Sequence, residues 1–227
     1  MSELAARLQQ CQRRLARAAL AAGRNESEIT LLAVSKTKPV DAIRAAVCAG
    51  QRRFGESYVQ EAVEKIAQLN DATLEWHFIG PIQSNKTRAI AEHFTWVQSI
   101  DRLKIAERLS AQRPAHLTPL QICIQVNISD EPQKGGIAAA DLLPFAAAVS
   151  RLPGLHLRGL MAIPAAGGDM DAQRAPFAAL RTLFEQLRLH HPQVDTLSMG
   201  MSDDLEAAVA EGSTLVRVGS AIFGSRA

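Results

Sequence analysis

Residues 30–49 read TLLAVSKTKPVDAIRAAVCA and contain one complete strand, turn and helix. The apolar run at 30–34 is short and has a β-branched residue at each end, which is typical of a buried strand. After Pro39, apolar residues recur at helical spacing through 40–49, which predicts an amphipathic helix. The turn between them, at 35–39, contains no glycine. It therefore lacks the phosphate-binding fingerprint that opens a doubly wound nucleotide-binding sheet.

The same unit of a short strand followed by a helix recurs through the rest of the chain. Strands are predicted at 30–34, 53–54, 76–79, 95–100, 120–128, 155–161, 196–198 and 215–218. Helices are predicted after them at 40–49, 59–69, 87–93, 103–111, 142–149, 177–189 and 205–210. Eight such units of about 26 residues each fit a (β/α)8 barrel near its lower size limit, whereas an open doubly wound sheet normally uses five or six strands. The pattern therefore favours the closed barrel.

A further helix is predicted before the first strand. Apolar residues recur there at three- and four-residue spacing from Leu4 to Ala19, and the pattern ends near Gly23. No linker-like stretch divides the strand and helix pattern that follows. We therefore predict an α/β fold, a single (β/α)8 TIM-type barrel domain over residues 1–227, with residues 1–23 packed on the barrel as an extra helix.

The composition is that of an ordinary globular protein. With 47% hydrophobic and 21% charged residues among 227, it excludes the disordered and collagen-like classes. A net charge of +2 gives no field that would attract nucleic acid or an anionic membrane. No apolar stretch is long enough to span a membrane, and Cys11, Cys48 and Cys123 each lie in an apolar run rather than in a disulfide framework. We expect a cytoplasmic protein.

In a barrel of this type, the residues just after each strand form the active face. Strands seven and eight both end in small residues, which are Ser198, Gly200, Ser202, Gly219 and Ser220. Small residues let backbone N–H groups approach an anion, hydroxyl groups add donors, and a helix start adds positive potential. Either turn alone could be an ordinary tight turn or helix cap, but two such turns on neighbouring strands predict a phosphate site.

Lys36 follows the first strand and shares one face with Leu32 and Val34 under the two-residue alternation of a strand. If that face points inward, the amine lies at the barrel mouth. Loss of hydration there favours the neutral, nucleophilic amine that condenses with an aldehyde. Lys38 has the same parity but lies nearer solvent, beside Pro39. We favour Lys36 over Lys38 as the reactive lysine, with a merely solvated lysine as the alternative.

The six histidines show no metal-ligand spacing, so no metal site is predicted. His77 lies within an apolar strand and is interpreted as a hydrogen-bonded core residue. Ligand-binding residues are therefore expected only at the ends of the strands.

A lysine that traps an aldehyde opposite a phosphate cradle fits pyridoxal 5'-phosphate (PLP), which carries both groups on one ring. From its first strand to its end, the chain resembles the pyridoxal phosphate homeostasis protein family. The motifs that carry the resemblance are AVSK at 33–36, FGE at 54–56, HFIG at 77–80 with Gln83 and Asn85-Lys86, RGLM at 158–161, LSMGMSDD at 197–204 and RVG at 217–219. Among these, SMGMSDD is highly specific to that family.

The resemblance implies a barrel like the N-terminal domain of alanine racemase. It implies PLP held as an internal aldimine, a Schiff base, on Lys36. It also implies that Ser198, Gly200, Gly219 and Ser220 surround the phosphate.

Other cofactor contacts follow from the same resemblance. Arg217 is implied to face the pyridine nitrogen, and because arginine does not exchange a proton at neutral pH, the ring would be a weak electron sink. Met161, at the end of strand six, and Ser57, after strand two, complete the expected cofactor-binding set. The family usually has Gly-Glu-Asn where this chain has Gly55-Glu56-Ser57, and a serine lacks the amide's second group. A lysine like Lys134 lies near the pocket mouth in the family, which suggests a transient cofactor contact.

The expected function is PLP binding in intracellular PLP homeostasis, with PLP-dependent apo-enzymes as acceptors and without substantial catalysis. The alternative is a racemase-like enzyme, which needs a second acid or base on the opposite face of its substrate. In alanine racemase a tyrosine from a separate domain of the partner subunit supplies it, whereas the one tyrosine here is Tyr58, after strand two. A barrel aldolase that uses Lys36 is a third interpretation and predicts a colourless protein. We expect a monomer.

Overall fold

The computed structural model describes residues 2–129, 131, 134–165 and 167–224. Eight parallel strands follow one another in chain order around a closed barrel, and the last strand pairs with the first. They are β1 Thr30–Val34, β2 Arg53–Glu56, β3 Glu75–Phe78, β4 Trp96–Ile100, β5 Leu120–Gln125, β6 Leu155–Met161, β7 Thr196–Ser198 and β8 Leu215–Val218. The predicted (β/α)8 barrel is confirmed.

Helices cover the outside of this barrel, because parallel neighbours need a crossover connection. The first helix, α1 Glu3–Ala21, precedes β1. The helices that follow the strands are α2 Val40–Cys48, α3 Val59–Leu69, α4 Thr87–His93, α5 Leu103–Gln112, α6 Leu142–Val149, α7 Met170–His190, α8 Leu205–Ala210 and α9 Ser220–Phe223. Short 3-10 turns lie at Glu26–Glu28, Ser84–Lys86 and Ala139–Asp141.

The extra N-terminal helix, α1, is present as predicted. The Ser2 hydroxyl oxygen caps it by accepting the N–H of Ala5 at 3.2 Å. Its buried face, which includes Leu8 and Leu15, packs against α2, α8 and α9. Gly23, with φ of +67°, takes the left-handed conformation that commonly ends a helix. The helix therefore covers the part of the barrel where β8 meets β1.

Alternate residues of each strand point to opposite sides of the barrel wall. Phe54 and Phe78 face outward and belong to the large apolar core between strands and helices. Inside the barrel, Trp96, Cys123 and Met161 form a small separate apolar cluster. Several other buried positions on the strands are polar, in contrast to the branched apolar residues that usually fill such barrels. The interior is therefore able to carry hydrogen bonds between strands.

Two element boundaries differ from the prediction by three residues or more. Helix α7 begins at Met170 rather than at residue 177, because Asp169 caps it by accepting the N–H of Ala172 at 2.9 Å and Pro176 is accommodated inside the helix. Strand β5 ends at Gln125 rather than at residue 128. Beyond it, Val126 forms an isolated bridge with Ile137. Both differences depend on contacts, the Asp169 cap and the bridge between Val126 and Ile137, that cannot be inferred from the spacing of apolar residues.

All three cysteines lie in the described part of the chain and are free thiols. Cys11 and Cys123 are buried, and Cys48 is exposed. Among the described residues, no helix has the length and apolar character that crossing a membrane requires.

Candidate functional site

A cavity of about 260 Å³ opens at the carboxyl ends of the strands. Its wall is formed by the ends of β1 and β8 together with segments that follow β3, β6 and β7. Val34, Ile79 and Ile163 supply apolar surface, and polar groups converge on the rest of the wall. Concave sites of this kind, apolar with a few placed polar groups, are typical of small-molecule binding.

The parity predicted for β1 is confirmed. Leu32 is buried inside the barrel, and Val34 and Lys36 line the cavity. Ala33, between Leu32 and Val34, faces the outer core. Lys38 lines the same cavity. Both lysines are therefore able to meet a ligand held there, and Lys36 lies directly after the strand that forms the wall.

Side chains from β2 and α3 hold the turn that carries these lysines. Lys65 Nζ, almost fully buried, donates to the Ser35 main-chain oxygen at 2.8 Å, to Glu56 at 2.8 Å and to Glu61 at 2.5 Å. The Ser35 hydroxyl donates to Glu56 Oε1 at 2.6 Å. Thr37, whose φ of +63° is unusual for a non-glycine residue, donates its N–H to Glu61 at 2.6 Å. Residues on both sides of the first lysine are thus fixed by one buried ion-pair cluster.

Glu56 is the most buried member of that cluster, with no exposed surface. Burial raises the pKa of Glu56 above its ordinary value, although hydrogen bonds from Lys65 and Ser35 act in the opposite direction. Its Oε2 atom is buried and has no hydrogen-bond partner among the described residues. The cluster therefore depends on Lys65 to offset the carboxylate.

Arg217 enters the cavity wall from β8, the strand that pairs with β1, and is only 4% exposed. Its Nη1 donates to the Ser198 hydroxyl oxygen at 2.6 Å, and its Nη2 donates to the main-chain oxygen of Ala162 at 2.8 Å. Burial lowers the pKa of Arg217 to about 10, so the guanidinium stays charged at neutral pH. Two anchored nitrogens fix the plane of the group within the cavity wall.

The segments after β7 and β8 form the rest of the wall with small residues. Gly219 and Ser220 come directly after β8, and Ser202 follows β7. The Ser220 hydroxyl donates to the Ser202 hydroxyl at 3.3 Å, so the two lie side by side. Helices α8 and α9 have only six and four residues. Anion binding here must therefore depend on hydroxyl and backbone N–H groups rather than on a helix dipole.

The charged groups in the wall favour an anionic ligand. Lys36, Lys38 and Arg217 contribute three positive charges when protonated, against one negative charge from Asp203. Within the described ranges, no group of three or more His, Cys, Asp or Glu side chains is arranged to hold a metal ion. The positive side chains therefore suit direct contact with an anion.

Four residues that the sequence nominated lie together in this wall, namely Lys36, Arg217, Gly219 and Ser220. Ser57 and Met161 do not belong to it. The backbone of Ser57 packs so closely on Gly80 that a Cβ there would lie 2.4 Å from the Ser57 oxygen. Met161 is fully buried inside the barrel.

Ser198 and Gly200 also lie outside the cavity wall. The Ser198 hydroxyl, fully buried, accepts from Arg217 and donates to Gln98 Oε1 at 2.7 Å. Gly200 packs against α8, where a Cβ would lie 2.5 Å from that of Ala208, and its φ of +93° favours glycine. Ser198 therefore contacts the wall residue Arg217, and Gly200 packs against α8, but neither residue lines the cavity.

Sequence reasoning missed part of the wall. Ser202 is one of the small residues after strand seven but is not among the phosphate contacts that the resemblance implies. The structure places Ser202, rather than Ser198, at the cavity. The apolar residues Val34, Ile79 and Ile163 carried no signal beyond their positions at or near strand ends. Lys134 and Tyr58 are not in the wall: Lys134 pairs with Glu131 at 2.7 Å, and Tyr58 is 54% exposed.

A larger depression, of about 780 Å³, lies at the other end of the barrel between α1 and the amino ends of β1 to β3. Arg52 and Arg53 line it together with Glu26 and Glu75, so its charges are mixed. Its wall contains no lysine. We assign the functional site to the smaller cavity because the strand ends and the positive side chains converge there.

The chain is similar to known proteins over almost its whole length. The family model for the alanine racemase N-terminal domain matches residues 6–227. The pyridoxal phosphate homeostasis protein of Pseudomonas aeruginosa is 59% identical over 226 residues, which cover 100% of this chain and 97% of that protein. The protein of the same name from Escherichia coli K12 is 56% identical over 229 residues, covering 100% of this chain and 98% of that one.

A solved structure shares the fold as well. PipY of Synechococcus elongatus with PLP bound is 41% identical and superposes with a TM-score of 0.83. The match covers 98% of this chain and 100% of that one. The similarity therefore extends over the whole barrel and includes the segments that build the cavity.

Proposed function

Since the chain belongs to the pyridoxal phosphate homeostasis protein family, we propose that it binds PLP in the 260 Å³ cavity and takes part in PLP homeostasis. The observation that carries the proposal is a single cavity wall that combines Lys36 with Arg217, Gly219 and Ser220. An aldehyde, a ring nitrogen and a phosphate are three of the polar groups of PLP, and this wall offers a partner for each of them.

Lys36 is the proposed covalent partner. Its neutral amine adds to the aldehyde carbon, the C–N bond forms, and the carbonyl oxygen leaves as water, which gives the imine, an internal aldimine. The buried cluster around Lys65 holds the turn in place while this bond is present.

The phosphate is proposed to lie against Gly219, Ser220 and Ser202. The two hydroxyl groups supply donors, and the absence of a side chain at Gly219 keeps the backbone accessible to the anion. A Cβ at Gly219 would lie 3.4 Å from Val34 on the neighbouring strand, which is an ordinary van der Waals distance. Ser198 and Gly200, chosen from the sequence as phosphate contacts, are proposed to act indirectly through Arg217 and through the turn after β7.

The remaining sequence candidates, Ser57 and Met161, are proposed to shape the site without lining the cavity. Ser57 fixes the loop after β2 against Gly80, and Met161 fills the barrel interior below the cavity. Their replacement should therefore alter PLP affinity less than replacement of Lys36 or Arg217.

We propose that catalysis is not the main role. Arg217 opposite the ring nitrogen leaves that nitrogen unprotonated, which makes the ring a weak electron sink for carbanion chemistry. The chain would hold PLP, protect its aldehyde and release it to PLP-dependent apo-enzymes, and it would act as a monomer. The names of the homologous homeostasis proteins support a role in PLP homeostasis.

The covalent bond is tested by absorption spectroscopy of the purified protein with PLP, followed by borohydride reduction and peptide mass mapping. We expect a visible imine band and a reduced pyridoxyl adduct on Lys36. Lys36→Ala should lose that band or transfer the adduct to another lysine such as Lys38. The matched control is Lys104→Ala, an exposed lysine on α5 that does not line the cavity and should leave the spectrum unchanged.

A wild-type protein that shows neither PLP binding nor a lysine adduct would overturn the proposed function. An adduct found only on a residue other than Lys36 in the wild type would overturn the assignment of Lys36.

Catalysis is tested by incubating the PLP-loaded protein with amino acids in deuterated water and measuring exchange of the α-proton. The proposal predicts exchange no faster than that of free PLP. Exchange at enzyme-like rates would favour the racemase-like alternative. Sedimentation velocity of the purified protein tests whether it is a monomer.

A further inference from the structure

A chain of side-chain hydrogen bonds crosses the barrel interior from the cavity to the opposite end. Arg217 Nη1 lies 2.6 Å from Ser198 Oγ, which lies 2.7 Å from Gln98 Oε1. Gln98 Nε2 lies 2.9 Å from His77 Nδ1, and His77 Nε2 lies 2.8 Å from Glu75 Oε1. The chain thus links four strands, β8, β7, β4 and β3.

The direction of every bond follows from the groups that meet along the chain. Arginine can only donate, so Ser198 accepts from it, and because Gln98 Oε1 can only accept, the Ser198 hydroxyl donates its proton to that atom. This fixes the Gln98 amide, whose Nε2 then donates to His77 Nδ1. The remaining proton of His77 is therefore on Nε2 and points to Glu75. All donors point away from the cavity and toward a carboxylate.

Burial makes this ordered chain costly to disturb. Gln98 and Ser198 have no exposed surface and His77 has 1%, whereas the Glu75 side chain is 36% exposed. His77 is further fixed by stacking on Trp96, with ring centroids 5.1 Å apart and planes 9° from parallel. A donor or acceptor left unmatched at these positions would lose the full free energy of its hydration.

The buried charge of Arg217 has little direct compensation. Within the described ranges, no salt bridge reaches its guanidinium, and the negative charge of Asp204 acts on it without a direct contact. Its two anchors are neutral oxygens, those of Ser198 and Ala162. The hydrogen-bond chain polarises Ser198 toward Arg217 and ends on Glu75, so it supplies through neutral groups part of the compensation that a direct ion pair would give.

We propose that Gln98 and His77 are positioning residues that hold Arg217, through Ser198, in the orientation that faces the PLP ring. Neither residue lines the cavity, so neither touches the cofactor. The inference rests on the proposed function, since PLP is the ligand whose ring Arg217 would meet. It goes beyond that function by assigning a role to two residues on the far side of the barrel axis.

The test is a double-mutant cycle on PLP affinity, measured by absorbance titration of the purified protein. Gln98→Met keeps the volume and removes both hydrogen bonds, and it should weaken PLP binding about 5- to 10-fold and shift the visible band. Arg217→Met should also weaken binding. Because Gln98 acts through Arg217, the double variant should bind no more weakly than Arg217→Met alone.

Ser198→Ala is a second variant, which removes only a hydroxyl group and should therefore leave the fold intact. It breaks the same chain one step nearer the cavity, so its effect should equal that of Gln98→Met and should not add to it. If Ser198 instead contacts the phosphate directly, the two effects will add, which would overturn the proposal. The matched control is Ser99→Ala, which removes a buried hydrogen bond on the same strand, from Ser99 to the Gly80 oxygen at 2.6 Å, and should leave affinity unchanged.

Crystals of ligand-free Gln98→Met provide a readout that does not depend on PLP. We expect the Arg217 guanidinium to leave the oxygens of Ser198 and Ala162. An unmoved Arg217 together with unchanged PLP affinity would overturn the positioning role while leaving the proposed function intact. A wild-type protein that does not bind PLP would overturn both.

Discussion

Arg14 on α1 donates a hydrogen bond from Nη1 to the main-chain oxygen of Ser202, 2.6 Å away. The same guanidinium binds both carboxylate oxygens of Glu206, through Nε at 2.6 Å and Nη2 at 2.5 Å. Just after the helix ends, Arg24 Nη1 donates to the main-chain oxygens of Val209 and Ser213. The N-terminal helix and the turn that follows it therefore hold both ends of α8 and the segment whose Ser202 lines the cavity.

Arg14→Met should loosen this segment while leaving the barrel folded. We expect PLP affinity to fall about 3- to 10-fold, since a charged, two-point contact is lost. Affinity for pyridoxal, which lacks the phosphate, should change little because Lys36 and Arg217 are untouched. Both ligands can be compared by absorbance titration. Arg13→Met, an exposed neighbour on the same helix, is the control, and an equal loss for both ligands would contradict the assignment.

The Arg14 and Glu206 pair should also make stability depend on pH. The hydrogen bond from Arg14 lowers the pKa of Glu206 below its ordinary value of 4.5 in the folded state. The pair therefore stabilises the fold above pH 4.5 and loses that contribution as pH falls through the lowered pKa. Glu206→Gln should be less stable than wild type at pH 7, and the difference should shrink below pH 4. Urea unfolding across this range measures it, and a constant difference would contradict the linkage.

Lys65→Met should be strongly destabilising, because it leaves the Glu56 carboxylate buried without its cation. Breaking a buried pair by removing one partner costs about 3 to 5 kcal/mol. The double variant Lys65→Met with Glu56→Gln removes the uncompensated charge as well, so it should recover part of that loss. Urea denaturation of the two variants at pH 7 gives both values. A single variant within about 1 kcal/mol of wild type would show that the cluster is not a structural anchor.

Gly159 on β6 should not tolerate a side chain. A Cβ built there would lie 1.8 Å from the main-chain oxygen of Thr196 on β7, and φ is +155°. Gly159→Ala should lose more than about 3 kcal/mol or fail to fold. Gly50→Ala is the control, since φ there is +98° but nothing lies within 4 Å, and it should lose only about 1 to 2 kcal/mol. Thermal unfolding of the two variants separates backbone strain alone, at Gly50, from strain with steric overlap, at Gly159. Equal losses of stability would contradict the predicted overlap with Thr196.

The parts of the site that were predictable are those encoded within one strand and its turn. The position of Lys36 follows from the two-residue alternation that also buries Leu32, so its place at the barrel mouth could be read from β1 alone. Gly219 follows from its place directly after β8, and the role of Arg217 is implied by the family resemblance. Local periodicity is sufficient wherever a residue's direction depends only on its own strand.

Residues whose role depends on distant partners could not be predicted. Ser198 and Ser202 belong to one string of small residues, and only the contact of Ser198 with Gln98, 100 positions away, separates the buried hydroxyl from the one at the cavity. Lys65 lies on a helix where a lysine is ordinarily solvated, and its burial appears only when β1, β2 and α3 meet. His77 was correctly interpreted as a hydrogen-bonded core residue, but its partners Glu75 and Gln98 were not identified.

The pairing of the first strand with the last has a consequence for synthesis on the ribosome. Leu32 is in register with Arg217 and Ala33 with Val218, so the cavity joins the first strand of the barrel to be synthesised to the eighth. A nascent chain that has released only β1 to β7 carries the lysine but neither the arginine nor the turn after β8. The cavity wall is therefore complete only once β8 has been synthesised, and a ligand held by that wall cannot serve as a template for the earlier steps of folding.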